Sequence, residues 1–173
     1  MTTIDNIQLW ALAYIKHYTI SGQDTNRPWG GFYYIDDRDL DRFVAQYFSG
    51  AVSEKNKGLS VGINEALKEK VPISPKILVV SPGKRLSWQY HHRRKEIWSV
   101  LVGPVGIVRS KTDDETDMVV VDTGDIITID KEERHRIVGL DNYAVIAELW
   151  CHCDINNPSD EMDIIRVQDD FKR

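Results

Sequence analysis

The sequence predicts an all-β core, built as an antiparallel sandwich or barrel, with additional α-helices at its N-terminal end. From residue 76 onward, short apolar runs alternate with turn residues such as Gly, Pro and Asp. Seven or more short strands with closely spaced turns are typical of antiparallel sandwiches and barrels. The first third of the chain differs, because its apolar residues recur at helical spacing. A chain of 173 residues is long enough to bury a core as one domain without disulfides.

The N-terminal part is predicted to hold helices around one short strand. Apolar residues such as Ile7, Ala11 and Tyr18 indicate an amphipathic helix that ends near Gly22. The elements predicted here are a helix over 3–19, a turn over 26–31, a strand over 32–35, a helix over 39–48 and a short helix over 64–70. We expect residues 1–75 to form this helical extension, packed on a barrel of residues 76–173, as one structural domain.

The barrel strands are predicted from apolar runs that end at turn residues. They cover residues 77–80, 97–102, 105–109, 118–121, 126–129, 136–138 and 144–150, and residues 84–91 alternate like a further strand. Cys151 and Cys153 stand too close in sequence for an ordinary disulfide, so we expect them to be small buried hydrophobes.

The composition of the chain restricts the classes of binding partner that we expect. With 22 Lys and Arg against 27 Asp and Glu, the formal charge is −5, which disfavours a nucleic acid. No apolar run approaches the roughly 20 residues of a membrane span, and the first residues lack a basic segment before an apolar run, so we expect neither a membrane span nor a signal peptide. Without a disulfide framework, we expect a cytoplasmic protein. Basic residues nevertheless flank the histidine segments, which favours a small anionic ligand; they are Lys84, Arg85, Arg93, Arg94, Lys95, Arg134 and Arg136.

The stretch SWQYHHRRKEIW, residues 87–98, carries the candidate metal site. Strand alternation places Gln89 and His91 on one face and His92 on the other. Residues 93–95 are predicted to turn the chain, so that Glu96 returns to the same interior. His135, after a later strand, is the candidate fourth ligand. Two imidazoles, a carboxylate and an amide oxygen suit Zn, Fe(II), Mn, Co or Ni.

The spacing of these residues resembles the paired motifs of the cupin superfamily. The pattern is Gly83-x5-Gln89-x-His91-x4-Glu96-x6-Gly103 followed by Gly124-x10-His135. The family's first motif, G-x5-H-x-H-x3,4-E-x6-G, has His where this chain has Gln89. The second motif differs in turn residues, at Asp130, Glu132 and Gly139. The resemblance implies a cupin fold, the double-stranded β-helix or jelly-roll barrel.

A narrower resemblance is to the cupin domain of type II phosphomannose isomerases. It rests on RPWG at 27–30, PGKRLSWQYHH at 82–92, EIW at 96–98 and RVQDDFKR at 166–173. Gln in the first ligand position is itself a feature of that family. Arg93, Ile97, Phe171 and Lys172 depart from its usual residues. The domain is often fused behind a mannose-1-phosphate guanylyltransferase, which 173 residues are too few to hold, so we expect a standalone cupin domain.

The resemblance implies an aldose–ketose isomerase that interconverts mannose 6-phosphate and fructose 6-phosphate through a cis-enediolate. Zinc is the expected divalent metal, with Fe, Mn, Co and Ni as alternatives, and Gln89, His91, Glu96 and His135 are the expected ligands. Catalytic roles fall to Arg166 and Arg173, and substrate binding to Arg85, Lys84 and Arg27. The expected partners are a small phosphorylated sugar and a second copy of the chain, because exposed strand edges are often covered by dimerisation.

Two other functions fit the same residues. One is a non-catalytic sugar-binding or regulatory cupin, which the departures at Arg93, Ile97, Phe171 and Lys172 leave open. The other is an isomerase or epimerase of another sugar.

Overall fold

Two antiparallel β-sheets face each other in the structure, a computed structural model that describes residues 5–48 and 71–172. In chain order the helices and strands are α1 (Asn6–Ile15), β1 (Ile20–Arg27), β2 (Gly30–Ile35), α2 (Leu40–Tyr47), β3 (Ile73–Val80), β4 (Trp88–Tyr90), β5 (Arg94–Val102), β6 (Val105–Ser110), β7 (Val119–Val121), β8 (Ile126–Ile129), β9 (Arg134–Gly139), β10 (Ala144–His152) and β11 (Ile165–Gln168). Short 3-10 turns lie at Asp37–Asp39 and Glu161–Asp163. The larger sheet has the order β1-β2-β3-β10-β5-β8, and the smaller has the order β11-β4-β9-β6-β7.

The core lies on both faces of the larger sheet. The cluster between the sheets includes Leu78, Trp98 and Ile146 from the larger sheet and Ile107 and Ile137 from the smaller. On the outer face, the two helices cover β3, β5 and β10; this cluster includes Ile7, Ala11, Phe43, Ile77, Ile97, Val145 and Leu149. Burial on both faces explains why β3 and β10 read as almost continuous apolar runs. The predicted β-barrel class with N-terminal helices is confirmed.

The helical extension is shorter than predicted. Helix α1 begins after Asp5, whose carboxylate accepts a hydrogen bond from the Gln8 N–H at 2.8 Å. It ends at Ile15, and the expected helix through residue 19 is wrong, because the chain then enters β1. That strand is an edge strand of mostly polar residues, so no apolar pattern announces it. The helix predicted over 39–48 is confirmed as α2, and the short helix predicted over 64–70 lies outside the described residues.

The boundary predicted between residues 75 and 76 falls inside β3. Pro75 pairs with Leu149 of β10 on one side, while pairing with β2 reaches only as far as Lys76. A residue without an N–H is tolerated in the strand because it has one neighbouring strand at that point. The N-terminal part therefore adds β1 and β2 to the larger sheet. A single structural domain remains a prediction.

The RPWG segment forms the tight turn between β1 and β2. Gly30 has a φ of +146°, and a Cβ added there would lie 1.9 Å from the Val79 carbonyl oxygen. Only glycine fits this close approach of β2 to β3.

The strands predicted in the barrel are present with shifted ends. Residues 84–91 were expected as one strand, but β4 covers only Trp88–Tyr90, with an isolated bridge from Arg85 to Val138. The short edge strand β11 had not been predicted. Cys151 is buried as expected, whereas Cys153 lies beyond the end of β10 and is exposed, so that expectation is wrong. No helix in the described ranges is long and apolar enough to cross a membrane.

Candidate metal centre and pocket

Three side chains converge between the two sheets. His91 follows β4, Glu96 lies on β5 and His135 lies on β9, and each is 2% exposed. The Nε2 atoms of the two histidines are 3.2 Å apart. Glu96 Oε1 lies 3.1 Å from His91 Nε2, and Glu96 Oε2 lies 3.5 Å from His135 Nε2. The predicted convergence of these three residues is thus present in the structure.

This spacing fits a divalent metal ion. Ligand atoms bound about 2.0–2.2 Å from one ion lie roughly 3–3.5 Å from one another. The described residues hold no other group of three such side chains within ligating distance of one another.

The Nδ1 atoms of both imidazoles lie within hydrogen-bond distance of backbone carbonyl oxygens. His91 Nδ1 lies 3.1 Å from the Asp163 carbonyl oxygen, and His135 Nδ1 lies 2.8 Å from that of Glu133. A carbonyl can only accept, so each Nδ1 carries a proton, and in the neutral form of each ring Nε2 turns its lone pair toward the centre. Metal-binding histidines are oriented by contacts of this kind. The donor set and its tautomers therefore suit a metal cation.

Arg94 reaches into the same centre. Its Nε donates to Glu96 Oε1 at 2.7 Å, its Nη2 lies 3.0 Å from His91 Nε2, and it is 1% exposed. Burial alone would raise the pKa of Glu96, but Arg94 and the two histidines outweigh it and hold that pKa well below its usual value. Burial likewise lowers the pKa of His135 to about 4.

Sequence reasoning missed this position of Arg94. Residues 93–95 had been predicted as a turn, which is wrong for Arg94 and Lys95 because β5 already begins at Arg94. The signal was available, since strand alternation puts Arg94, Glu96 and Trp98 on one face.

Gln89 lies beside the triad. It is directly opposite His135 in the β4–β9 pairing, and it lines the pocket described below. Its Oε1 accepts a hydrogen bond from the Ser87 hydroxyl at 2.6 Å. Metal ligation by Gln89 stays a prediction.

A pocket opens next to these residues. Its charged lining comprises Arg27, Lys76, Arg94, Glu96, Glu148, Glu161 and Arg166, and its aromatic lining includes Trp29, Phe32 and Trp150. It therefore combines a concentration of cations with three carboxylates.

Lys76 and Glu148, both absent from the sequence prediction, form the buried wall of this pocket. Lys76 Nζ lies 3.4 Å from the centroid of the Trp150 ring, 3.9 Å from Glu148 Oε2 and 3.3 Å from Glu161 Oε1. Burial lowers the pKa of Lys76. Burial, reinforced by the charge of Glu96, raises the pKa of Glu148 to about 8.

The arginines and the lysine predicted to handle substrate divide into two groups. Arg27 and Arg166 line the pocket, and Arg166 reaches it because β11 pairs it with Gln89. Arg85 instead forms a two-pronged pair with Asp170 at 2.6 and 2.8 Å. Lys84 is exposed, and neither it nor Arg85 is among the lining residues. Arg173 lies outside the described residues.

The remaining histidines of this region are turned away from the centre. His92 is half exposed and pairs with Glu132 at 3.0 Å, as alternation predicts. His152 is buried, with Ser74 and Ser159 on its two ring nitrogens. The arrangement can thus hold one metal ion at the inner end of a cationic pocket that also contains a carboxylate, Glu148, not among the predicted ligands.

Comparison with known proteins places this chain in a family. The sequence matches the family model described as mannose-6-phosphate isomerase C-terminal over residues 58–169. No curated protein gives a match.

Among solved structures, vicilin from Corylus avellana (hazelnut) has a TM-score of 0.51 and 13% identity over 81% of this chain and 33% of its own. A cupin-superfamily sugar phosphate isomerase from Silicibacter pomeroyi has a TM-score of 0.40 and 17% identity, over 46% of this chain and 50% of its own. A cupin 2 conserved barrel domain protein from Salinispora arenicola has a TM-score of 0.40 and 22% identity, over 46% of this chain and 62% of its own. The chain thus spans less than two thirds of each of these relatives, and the likeness to vicilin supports the fold alone. Because the family model covers more than half of the sequence, the chain belongs to the mannose-6-phosphate isomerase C-terminal family.

Proposed function

We propose that this protein is a metal-dependent aldose–ketose isomerase that interconverts mannose 6-phosphate and fructose 6-phosphate. The observation that carries the proposal is the buried triad of His91, Glu96 and His135, whose ligand atoms lie 3.1–3.5 Å apart beside a pocket rich in cations. Membership of the mannose-6-phosphate isomerase C-terminal family supports it.

His91, Glu96 and His135 would hold the metal, with Gln89 as the fourth ligand and zinc as the proposed ion. A bound divalent ion supplies an electrophile that stabilises negative charge developing on a sugar oxygen. The pocket walls would exclude water from the substrate, and the cationic side chains of the pocket would orient it.

Arg27 and Arg166 are proposed to bind the phosphate group. Both line the pocket, and a guanidinium matches phosphate oxygens with two parallel N–H donors. Arg173 is proposed to act with Arg166, as the resemblance implies. Arg85 is already paired with Asp170, so it would need to exchange that partner to bind substrate.

The test is a coupled assay that follows formation of fructose 6-phosphate from mannose 6-phosphate, with metal supplied and with chelator. We expect turnover that stops when the metal is removed and returns when zinc is added. No turnover with any divalent metal would refute the proposal, and binding of the sugar phosphate without turnover would favour a sugar-binding cupin instead.

Two variants separate metal binding from substrate handling. His91→Ala should lose both bound metal and activity, because it removes a ligand atom. Arg173→Ala should lose activity and keep its metal, as measured by elemental analysis of the purified protein.

We also propose a homodimer, in which a second copy covers an exposed strand edge. Val119 and Val120 of the edge strand β7 are 60% and 52% exposed. Light scattering on the purified protein tests this proposal.

A further inference from the structure

Glu148 shares a hydrogen-bond donor with the metal-binding carboxylate. The indole N–H of Trp98 lies 3.2 Å from Glu96 Oε2 and 3.1 Å from Glu148 Oε1. The two carboxylates therefore face each other across a single nitrogen, and both line the pocket. A sugar bound at the triad would bring its reacting carbons close to Glu148.

The three carboxylates of the pocket differ in how firmly they are held. Glu96 accepts from Arg94 at 2.7 Å and approaches both histidines. Glu161 accepts from the Tyr34 hydroxyl at 2.7 Å and from Lys76 at 3.3 Å. The oxygens of Glu148 have longer contacts, with the Trp98 N–H at 3.1 Å and Lys76 Nζ at 3.9 Å. Glu148 is thus the most loosely held of the three, and the one best able to exchange a partner for a substrate proton.

The chemistry requires such a group. Interconversion of an aldose and a ketose moves one proton between C2 and C1, and one base on one face of the sugar can carry it both ways. Neither Glu96, placed among the proposed ligands, nor the tightly bonded Glu161 is free to do so.

We propose that Glu148 is this base, an assignment that rests on the proposed isomerase function. Its carboxylate takes the proton from C2, the C–H electrons form the C1=C2 bond, and the carbonyl electrons move onto O1. The resulting carboxylic acid returns the proton to C1. At the same time O2 loses its proton and becomes the ketose carbonyl, and O1 gains one to become a hydroxyl, so that no external reactant is needed.

Glu148→Gln tests the assignment, because the amide keeps the size of the side chain and can still accept from Trp98. We expect kcat to fall by about 10²- to 10⁴-fold, the usual contribution of general acid–base catalysis. Exchange of deuterium from solvent into the sugar, followed by NMR, should fall in parallel. Metal content should be unchanged, as should the calorimetric affinity for mannitol 6-phosphate, which binds but has no carbonyl.

Matched variants keep the result interpretable. Glu148→Asp retains a carboxylate and should recover part of the activity that Glu148→Gln loses. Asp141→Asn, at an exposed carboxylate, should behave as wild type. The proposal is overturned if Glu148→Gln keeps kcat within tenfold of wild type, if it loses metal or mannitol 6-phosphate binding as strongly as kcat, or if Glu161→Gln alone abolishes exchange. Absence of turnover in the wild-type protein would instead refute the proposed function itself.

Discussion

Asp163 links the segment after β10 to His91, one of the proposed metal ligands. Its carboxylate, which is buried, accepts hydrogen bonds from the N–H of His92 at 3.1 Å, the N–H of Arg93 at 3.0 Å and the Ser159 hydroxyl at 2.6 Å. Its backbone carbonyl faces His91 Nδ1. Replacement of Asp163 by Ala therefore removes one acceptor from three donors.

The expected cost follows from the burial of those donors. A hydrogen bond to a charged acceptor contributes about 1.5–3 kcal/mol, and we count the full value for the buried Ser159 hydroxyl. The two backbone N–H groups are partly buried and can recover water, so they contribute about 1 kcal/mol each. Asp163→Ala should thus lower the free energy of unfolding by about 3.5–5 kcal/mol, a large part of the roughly 5–15 kcal/mol of an ordinary domain.

A second effect is expected at the metal. Release of the segment would loosen the carbonyl that orients His91, and loss of such a contact typically weakens metal binding about 10- to 100-fold. Urea unfolding followed by tryptophan fluorescence measures the first effect, and zinc competition against a chelating dye measures the second. Asp154→Ala is the control, because Asp154 is exposed and its carboxylate accepts from the nearby Asn156 N–H. If Asp163→Ala unfolds at the same urea concentration as this control, the reasoning is refuted.

Three further predictions follow from the same contacts. The stability deficit of Asp163→Ala should be full at pH 7 and shrink as the pH falls below about 4. Burial raises the Asp163 pKa, but the hydrogen bonds to its carboxylate outweigh burial and lower that pKa, so the stabilisation is lost when the carboxylate is protonated. Equal deficits at pH 7 and pH 3 would contradict this. Arg94→Met should destabilise the metal-free protein by about 3–5 kcal/mol, because the buried Glu96 carboxylate loses its partner, the Arg94 guanidinium. Added zinc should restore most of the lost stability. If the variant in the presence of chelator melts like the wild-type protein, Arg94 does not stabilise Glu96 in this way. Gly30→Ala should prevent folding, as judged by circular dichroism, because its Cβ would collide with the Val79 carbonyl; a wild-type melting temperature would disprove the close approach.

The parts of the fold that could be predicted are the strands with a strong apolar signal. Strands β5, β6, β8 and β10 face the core and appear in the sequence as apolar runs ended by turn residues. Strands β1 and β11 are edge strands in which every residue is half-buried or exposed, so their sequences resemble loops. The partner of β11, strand β4, is also distant in sequence, whereas β1 pairs with β2 across a tight turn.

Some residues of the candidate site could be predicted from the sequence and others could not. His91, Glu96 and His135 could be predicted because strand alternation and motif spacing restrict where they point. Lys76 and Glu148 could not, since each is a single charged residue within an apolar strand, and such a residue gives no indication of its partner. Their rarity was the signal that could have identified them, because a charged side chain inside a strand buried on both faces must be paired with another charge or serve the function of the protein.

Strand register explains how these isolated charges meet. Glu148 of β10 is directly opposite Lys76 of β3 on one side and Trp98 of β5 on the other. Two residues further along, Trp150 is directly opposite Glu96. The pocket wall is therefore a cross-strand row, assembled by three neighbouring strands without any loop. A slip of one residue would turn Glu148 into the cluster under the helices, whose described members are all hydrophobic. The same charges that form the pocket therefore also disfavour the wrong register of an otherwise apolar sheet.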